Sequence, residues 1–72
     1  MTDSAEINIT VNGKEKTVPS GLTITGLIEH FEIRKETAIV EHNQSVLDRK
    51  LYDTTNVLEG DNIELVRFVG GG

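Results

Sequence analysis

The sequence of 72 residues contains no cysteine. Disulfide bonds, thiolate metal ligands and a cysteine nucleophile are therefore excluded, and the fold has to rest on hydrophobic packing. A chain of this length buries only about 60% of its unfolded surface, so we expect one domain with a small core. The two histidines, His30 and His42, are too few to suggest a zinc site, and we expect both on the solvated surface.

Long apolar runs and clustered basic residues are also missing. No run approaches the roughly 20 apolar residues of a membrane-spanning helix, and the first residues lack the basic and apolar regions of a signal peptide. We therefore expect a cytoplasmic protein. Twelve acidic residues against seven scattered basic ones give a formal charge of −5, which argues against a nucleic-acid partner. The acidity either steers the protein toward a positively charged partner or only keeps it soluble.

The first part of the chain has the pattern of a β-hairpin. Alternation of apolar and polar residues from Glu6 to Val11 predicts a half-buried strand. Asn12-Gly13 predicts a type I′ turn, which needs positive φ at both positions. The returning strand runs from Lys14 to Val18, and Pro19 ends it because proline donates no ladder hydrogen bond.

A helix of two to three turns is predicted next. Thr23 is a suitable N-cap, and four apolar residues at i, i+3, i+4 and i+7 form one stripe: Ile24, Leu27, Ile28 and Phe31. Gly26 weakens this helix by up to about 1 kcal/mol relative to alanine, and one use for it is a close approach of helix and sheet.

Extended segments dominate the rest of the chain. The nearly continuous apolar run Ala38-Ile39-Val40 favours a strand that is covered on both faces. Val46-Leu47 predicts a short strand, and residues 48–52 predict one helical turn. The last strand covers residues 63–68 after a tight turn.

In the last strand, Ile63 and Leu65 share one face, while Val66 and Phe68 share the other. One helix with a single apolar stripe, packed on a small mixed sheet, makes an α+β domain of two layers. With a right-handed crossover, the first and last strands pair in parallel at the sheet centre. This is the ubiquitin-like β-grasp arrangement, with a domain over residues 1–68 and a flexible tail over residues 69–72.

The tail ends on Gly70-Gly71-Gly72. Glycine loses more backbone entropy on ordering than any other residue, so we expect a mobile thread that reaches roughly 13–14 Å beyond Phe68. No Ser/His/Asp grouping, phosphate-binding glycine loop or metal-ligand spacing occurs in the chain. The thread is suited to carrying a carboxylate into the narrow site of another enzyme; the alternative is a frayed or cloning-derived end.

Over its whole length the chain resembles the ThiS family of thiamin-biosynthesis sulfur carriers. The most specific match joins the segment Gly60-Asp61-Asn62-Ile63-Glu64-Leu65-Val66 to the final three glycines, and weaker matches cover residues 7–13, residues 38–43 and Arg49. Two positions depart from the family pattern. Asp48 stands where the family often has proline, and Gln44 stands where it often has glycine. Gln44 disfavours positive φ, so we expect that turn to differ in shape.

The resemblance implies a carrier without a catalytic residue or cofactor of its own. A ThiF-like enzyme would adenylate Gly72 with ATP and Mg²⁺, and a sulfur donor such as a cysteine desulfurase would convert it to a thiocarboxylate. A ThiG-like thiazole synthase would accept the sulfur. Gly70 and Gly71 would thread through the partner's channel, where a side chain would clash. We expect the carrier itself to be a monomer.

A docking surface for these partners is predicted beside the tail. Val66, Phe68 and Val69 cannot all be buried if Ile63 and Leu65 face the helix, so we expect an apolar patch on the open sheet face, anchored by Phe68. Arg67 would meet an acidic group of the partner. The alternative places Val66 and Phe68 in the core.

Three other functions remain open. The small, MoaD-like subunit of a molybdopterin synthase has the same tail chemistry, although such subunits tend to be longer and to carry a proline before the glycines. A ubiquitin-like modifier would form isopeptide bonds from Gly72. A β-grasp interaction domain would leave the glycines without a role.

Overall fold

The computed structural model describes residues 6–67. The helix α1 spans Ile24–His30, and two 3₁₀ turns span Lys35–Thr37 and Arg49–Leu51. The five strands are β1 (Glu6–Val11), β2 (Lys14–Pro19), β3 (Ala38–His42), β4 (Ser45–Val46) and β5 (Asn62–Arg67).

The strands form one mixed sheet in the order β2-β1-β5-β3-β4. β5 is the middle strand and runs parallel to β1, with Val11 opposite Ile63, while the remaining neighbours are antiparallel. The predicted α+β fold of two layers, with its first and last strands in parallel, is confirmed. The order brings the C-terminal end of the described chain to the middle of the sheet.

The core lies between α1 and one face of this sheet. The helix contributes Ile24, Leu27 and Ile28, each 0% exposed, as the periodicity predicts. The sheet contributes buried residues from four strands: Ile9, Val11, Val18, Ala38, Val40, Ile63 and Leu65. Burying one such aliphatic side chain contributes about 1.5–3 kcal/mol, so this single layer of contacts holds helix and sheet together.

The prediction that β3 is covered on both faces is wrong. Ala38 and Val40 are fully buried, but Ile39 between them is 39% exposed. Residues 6–67 contain one α-helix, which covers one face only, so alternate residues of even an inner strand point away from the core.

Helix α1 begins and ends with recognisable caps. Thr23 Oγ1 accepts a hydrogen bond from Gly26 N–H at 3.1 Å, which confirms the predicted N-cap. At the other end, Ile33 N–H donates to Ile28 O and Glu32 N–H donates to Glu29 O. This is a Schellman motif, and Glu32 occupies its left-handed position with φ of 62°. The motif stops the helix after two turns.

Gly26 makes room for a side chain of the preceding loop. A Cβ at this position would lie 3.1 Å from Leu22 Cδ2. We expected Gly26 to allow a close approach of the helix to the sheet. Its close neighbour is instead Leu22.

Both two-residue hairpin turns have positive φ at both positions. Asn12 and Gly13 have φ of 52° and 81°, which confirms the predicted type I′ turn. Asn43 and Gln44 have φ of 51° and 75°. The expectation that Gln44 alters its turn is therefore wrong, because the pairing of β3 with β4 imposes the left-handed conformation on it.

Candidate functional site

The sheet face turned away from α1 is here called the open face. Within residues 6–67, three exposed, large aliphatic residues lie on it. Residues that lie directly opposite each other on neighbouring strands share a face. Ile39 lies opposite Val66, and Val46 lies opposite Glu41 on the next strand. Ile39, Val46 and Val66 are 39%, 72% and 52% exposed, and we call them the apolar patch.

Exposure of Val66 places it on the open face and outside the core. Its neighbours along β5, Ile63 and Leu65, are buried under the helix. The pattern of β5 therefore agrees with the predicted alternation, and the alternative that buries Val66 is wrong. Ile39 and Val46 were missed as members of the patch, because their position on the same face as Val66 depends on strand order and register.

Carboxylates accompany the apolar patch. Glu41 and Glu64 lie opposite each other on the open face, and both are exposed. Like charges directly opposite each other destabilise a sheet, so a cation from a partner would relieve this repulsion. None of the described strand residues on this face is Lys or Arg. The open face is therefore apolar and acidic, and it suits an apolar and basic partner surface.

Strand β5 connects the open face with the predicted tail. Arg67, its last residue, is exposed and lies opposite Ala38, which puts its side chain on the helix side, away from Val66. The other predicted site residues, Phe68, Val69, Gly70, Gly71 and Gly72, lie outside the described residues. Of the predicted partner-binding residues, the structure thus shows Val66 and Arg67, and it places them on opposite sides of the sheet.

The side chain of Asn12 holds β5 near its C-terminal end. Asn12 Oδ1 accepts from Leu65 N–H at 2.8 Å, and Asn12 Nδ2 donates to Leu65 O at 3.2 Å. β1 has already ended at Val11, so this amide takes the place of a backbone neighbour for β5. It fixes the strand two residues before Arg67, the last residue that the structure describes.

A second polar cluster surrounds Asp61 at the start of β5. His42 Nε2 lies 2.8 Å from Asp61 Oδ2, which also accepts from Leu58 N–H at 2.9 Å. Asn43 Nδ2 donates to Asp61 Oδ1 at 3.3 Å. The expectation that His42 is a solvated surface residue is wrong, since its side chain is only 20% exposed and bonds to a buried carboxylate. His30 is exposed, as expected.

Burial alone raises the pKa of the Asp61 carboxyl, but the hydrogen bonds from His42, Leu58 and Asn43 outweigh it and hold the pKa below its usual value. The carboxylate therefore stays ionised and ties the β3–β4 turn to the loop before β5. We assign this cluster a structural role, because its acceptor oxygens are occupied by bonds within the protein.

No other chemical site is evident in the part of the chain that the structure describes. Within residues 6–67, no group of three His, Cys, Asp or Glu side chains is arranged to hold a metal ion. In the same range, no helix has the length and apolar character needed to cross a membrane.

Comparisons with known proteins agree with the fold and with the sequence motifs. The crystal structure of the thiamine biosynthesis protein ThiS from Geobacter metallireducens superposes with a TM-score of 0.79 at 40% identity, covering 92% of this chain and all of that one. The sulfur carrier protein ThiS of Bacillus subtilis is 33% identical over 63 residues, which cover 86% of this chain and 96% of that protein.

A longer relative contains a similar segment. A thiazole synthase of Magnetococcus marinus is 35% identical over 66 residues, which cover 92% of this chain but only 20% of the synthase. The model of the ThiS family matches residues 5–72, a range that includes the final glycines. The chain therefore belongs to the ThiS family.

Proposed function

We propose that this protein is a sulfur carrier of thiamin biosynthesis, with Gly72 as the residue that receives and delivers the sulfur. The observation that carries the proposal is the match of the ThiS family model through residue 72, the last of the three glycines. The Bacillus subtilis relative bears the name of a sulfur carrier protein, which supports the same role here.

The chemistry begins with activation of the Gly72 carboxylate, which is a poor electrophile because its charge is delocalised. A carboxylate oxygen attacks the α-phosphorus of ATP on a ThiF-like enzyme, and pyrophosphate leaves. The terminal sulfur of a persulfide donor, such as a cysteine desulfurase carries, then attacks the acyl carbon, and AMP leaves. A thiol reduces the remaining S–S bond, which frees a thiocarboxylate on Gly72. The carrier is the substrate of each step and catalyses none of them.

The open face is proposed to dock the partner enzymes. The apolar patch of Ile39, Val46 and Val66 offers area to bury, and the carboxylates of Glu41 and Glu64 offer charges to pair. Val66 is the last but one residue of β5, so an enzyme that covers the patch also lies next to the C-terminal end of this strand. Gly70 and Gly71 then form a tether without side chains between the docked body and Gly72.

A thiazole synthase is the proposed acceptor of the sulfur. Similarity between this chain and a segment of the Magnetococcus marinus thiazole synthase supports a functional connection between the two. A molybdopterin synthase subunit would use the same tail chemistry, but the relatives named above belong to thiamin biosynthesis.

Deletion of the gene in its own host tests this assignment. We expect growth to require added thiamin or its thiazole, and we expect the full-length gene to restore independence. A version that lacks Gly71 and Gly72 should fail to restore it. Growth that is independent of thiamin after the deletion, or a defect in molybdenum enzymes instead, would contradict the proposal.

A further inference from the structure

A groove lies on the helix side of the sheet, at its β2 edge. Its volume is about 310 Å³, and we call it the β2 groove. The buried residues Val11 and Leu65 form its apolar floor, and the rest of its lining consists of Asn12, Lys14, Lys16, Phe31 and Ile33. It is thus on the opposite side of the sheet from the apolar patch.

The groove exists because α1 is too short to cover β2 along its whole length. Val18, at one end of this strand, belongs to the same buried core as the helix, but the Schellman motif at Glu32 ends the helix before it reaches the other end. Phe31 and Ile33 follow directly and remain half-buried, although they pack against the core. An apolar surface is therefore left partly uncovered.

The two lysines point into this space because of the strand register. Lys16 lies opposite Ile9 and Lys14 lies opposite Val11, and both of these β1 residues are on the helix side of the sheet. The protein has a formal charge of −5, yet none of the residues that line the groove is acidic. The groove therefore pairs an apolar floor with a local positive charge.

An unpaired strand edge runs beside the groove. β2 is the first strand in the sheet order, and it pairs with β1 alone among the strands of residues 6–67. Its outer backbone groups can accept another strand. In an added strand, side chains alternate between the two faces with a period of two, the same spacing that separates Lys14 from Lys16.

We propose that the β2 groove binds an extended, acidic peptide segment of a partner protein. The segment adds to the edge of β2 as a further strand, turns alternate aliphatic side chains toward the groove on the helix side of the sheet, and sets its carboxylates on Lys14 and Lys16. Strand addition supplies affinity through main-chain hydrogen bonds, and the groove supplies specificity. A volume at the lower end of the roughly 300–1,000 Å³ of ligand pockets is sufficient for a few such side chains.

This interaction is separate from the proposed sulfur transfer. The apolar patch and the β2 groove lie on opposite faces of the sheet, so a partner can occupy the groove while the open face is docked. The inference rests on the groove, the lysines and the strand edge, and it holds whether or not Gly72 carries sulfur.

Amide chemical shifts of the ¹⁵N-labelled full-length protein test the proposal. The probe is a capped synthetic peptide, Val-Ile-Thr-Val-Glu-Asp-Glu, and its control has lysines in place of the three acids. We expect saturable shifts in residues 14–18 and at Phe31 and Ile33 with the acidic peptide, and none with the basic one. The double variant Lys14→Glu, Lys16→Glu should weaken binding by roughly tenfold or more.

A matched control separates a specific site from general attraction of charge. The double variant Arg49→Glu, Lys50→Glu makes the same change of charge on the exposed 3₁₀ turn and should leave the affinity unchanged. The amide spectrum of each variant reports whether it remains folded. Absence of saturable shifts at millimolar peptide, shifts at Ile39 and Val66 instead, or equal weakening by the two double variants would overturn the proposal.

Discussion

The side-chain amide of Asn12 pairs with the backbone of Leu65 through two hydrogen bonds, of 2.8 and 3.2 Å. We expect Asn12→Gly to lower the free energy of unfolding by about 1–2 kcal/mol, because both bonds are lost while the positive φ is still allowed. Urea unfolding followed by circular dichroism measures the change. An unchanged midpoint would contradict the role given to this amide.

At Gln44, in the second hairpin turn, we expect a substitution by glycine to stabilise the protein. Its φ of 75° is unfavourable for any residue with a Cβ. We expect Gln44→Gly to raise the free energy of unfolding by about 0.5–1 kcal/mol, the left-handed penalty reduced by the greater entropy of glycine when unfolded. The same urea experiment measures it. Both variants introduce glycine at positive φ in a two-residue turn. If the free energy of unfolding falls for Asn12→Gly and rises for Gln44→Gly, the loss at position 12 is due to the hydrogen bonds of Asn12.

Asp61 makes stability depend on pH in the acidic range. Its folded-state pKa lies below the unfolded value of about 3.9 because bonds from His42, Leu58 and Asn43 outweigh the effect of burial. This contribution is therefore complete above the unfolded pKa and is lost as the pH falls through the folded one. We expect Asp61→Asn to destabilise the protein by about 1–3 kcal/mol at neutral pH and by less at pH 2–3.

Unfolding free energies of the wild type and Asp61→Asn, compared from pH 2 to pH 7, test this expectation. Glu29→Gln removes an exposed carboxylate from the helix and serves as the control. A loss for Asp61→Asn that stays constant over the whole range would show that the ionised carboxylate is not the cause.

We expect a substitution in the apolar patch to weaken docking of the partner enzyme without impairing folding. Val66 is 52% exposed on the open face, so we expect Val66→Lys to change stability by only about 0.5 kcal/mol. Conversion by the adenylating enzyme at limiting carrier concentration should fall by roughly tenfold or more, because the substitution removes apolar area and reverses the local charge.

Thr17→Lys is the matched control for this prediction. It puts the same charge on the same face, but on the edge strand β2, which is separated by β1 from β5, the strand that carries Val66. Equal conversion of the two variants would show that the enzyme does not use the apolar patch.

Local patterns were sufficient to predict most of the fold. The alternation in β1, the Asn12-Gly13 turn, the stripe on α1 and the cap at Thr23 each depend on neighbours within a few residues. The structure confirms all of them. The parallel pairing of β1 with β5 followed from the order of elements and the handedness of the crossover.

Features that depend on residues far apart along the chain were harder to predict from the sequence. Ile39 looked buried because its run is apolar, and its exposure follows from having one helix for two sheet faces. His42 looked solvated, and its partner Asp61 is 19 positions away along the chain. An apolar patch was predicted from Val66, Phe68 and Val69, of which the structure describes Val66. Its partners Ile39 and Val46 lie on β3 and β4, and only the register places them on the same face. The β2 groove likewise depends on where the helix ends.

The central claim is that Gly72 carries sulfur, and the mass of the intact protein tests it most directly. The full-length protein would be incubated with its adenylating enzyme, a persulfide donor, a thiol, ATP and Mg²⁺. The account predicts an ATP-dependent gain equal to the mass difference between sulfur and oxygen, confined by fragmentation to Gly72 and absent when Gly72 is deleted. An unchanged mass with an active enzyme and donor, or sulfur on another residue, would contradict it.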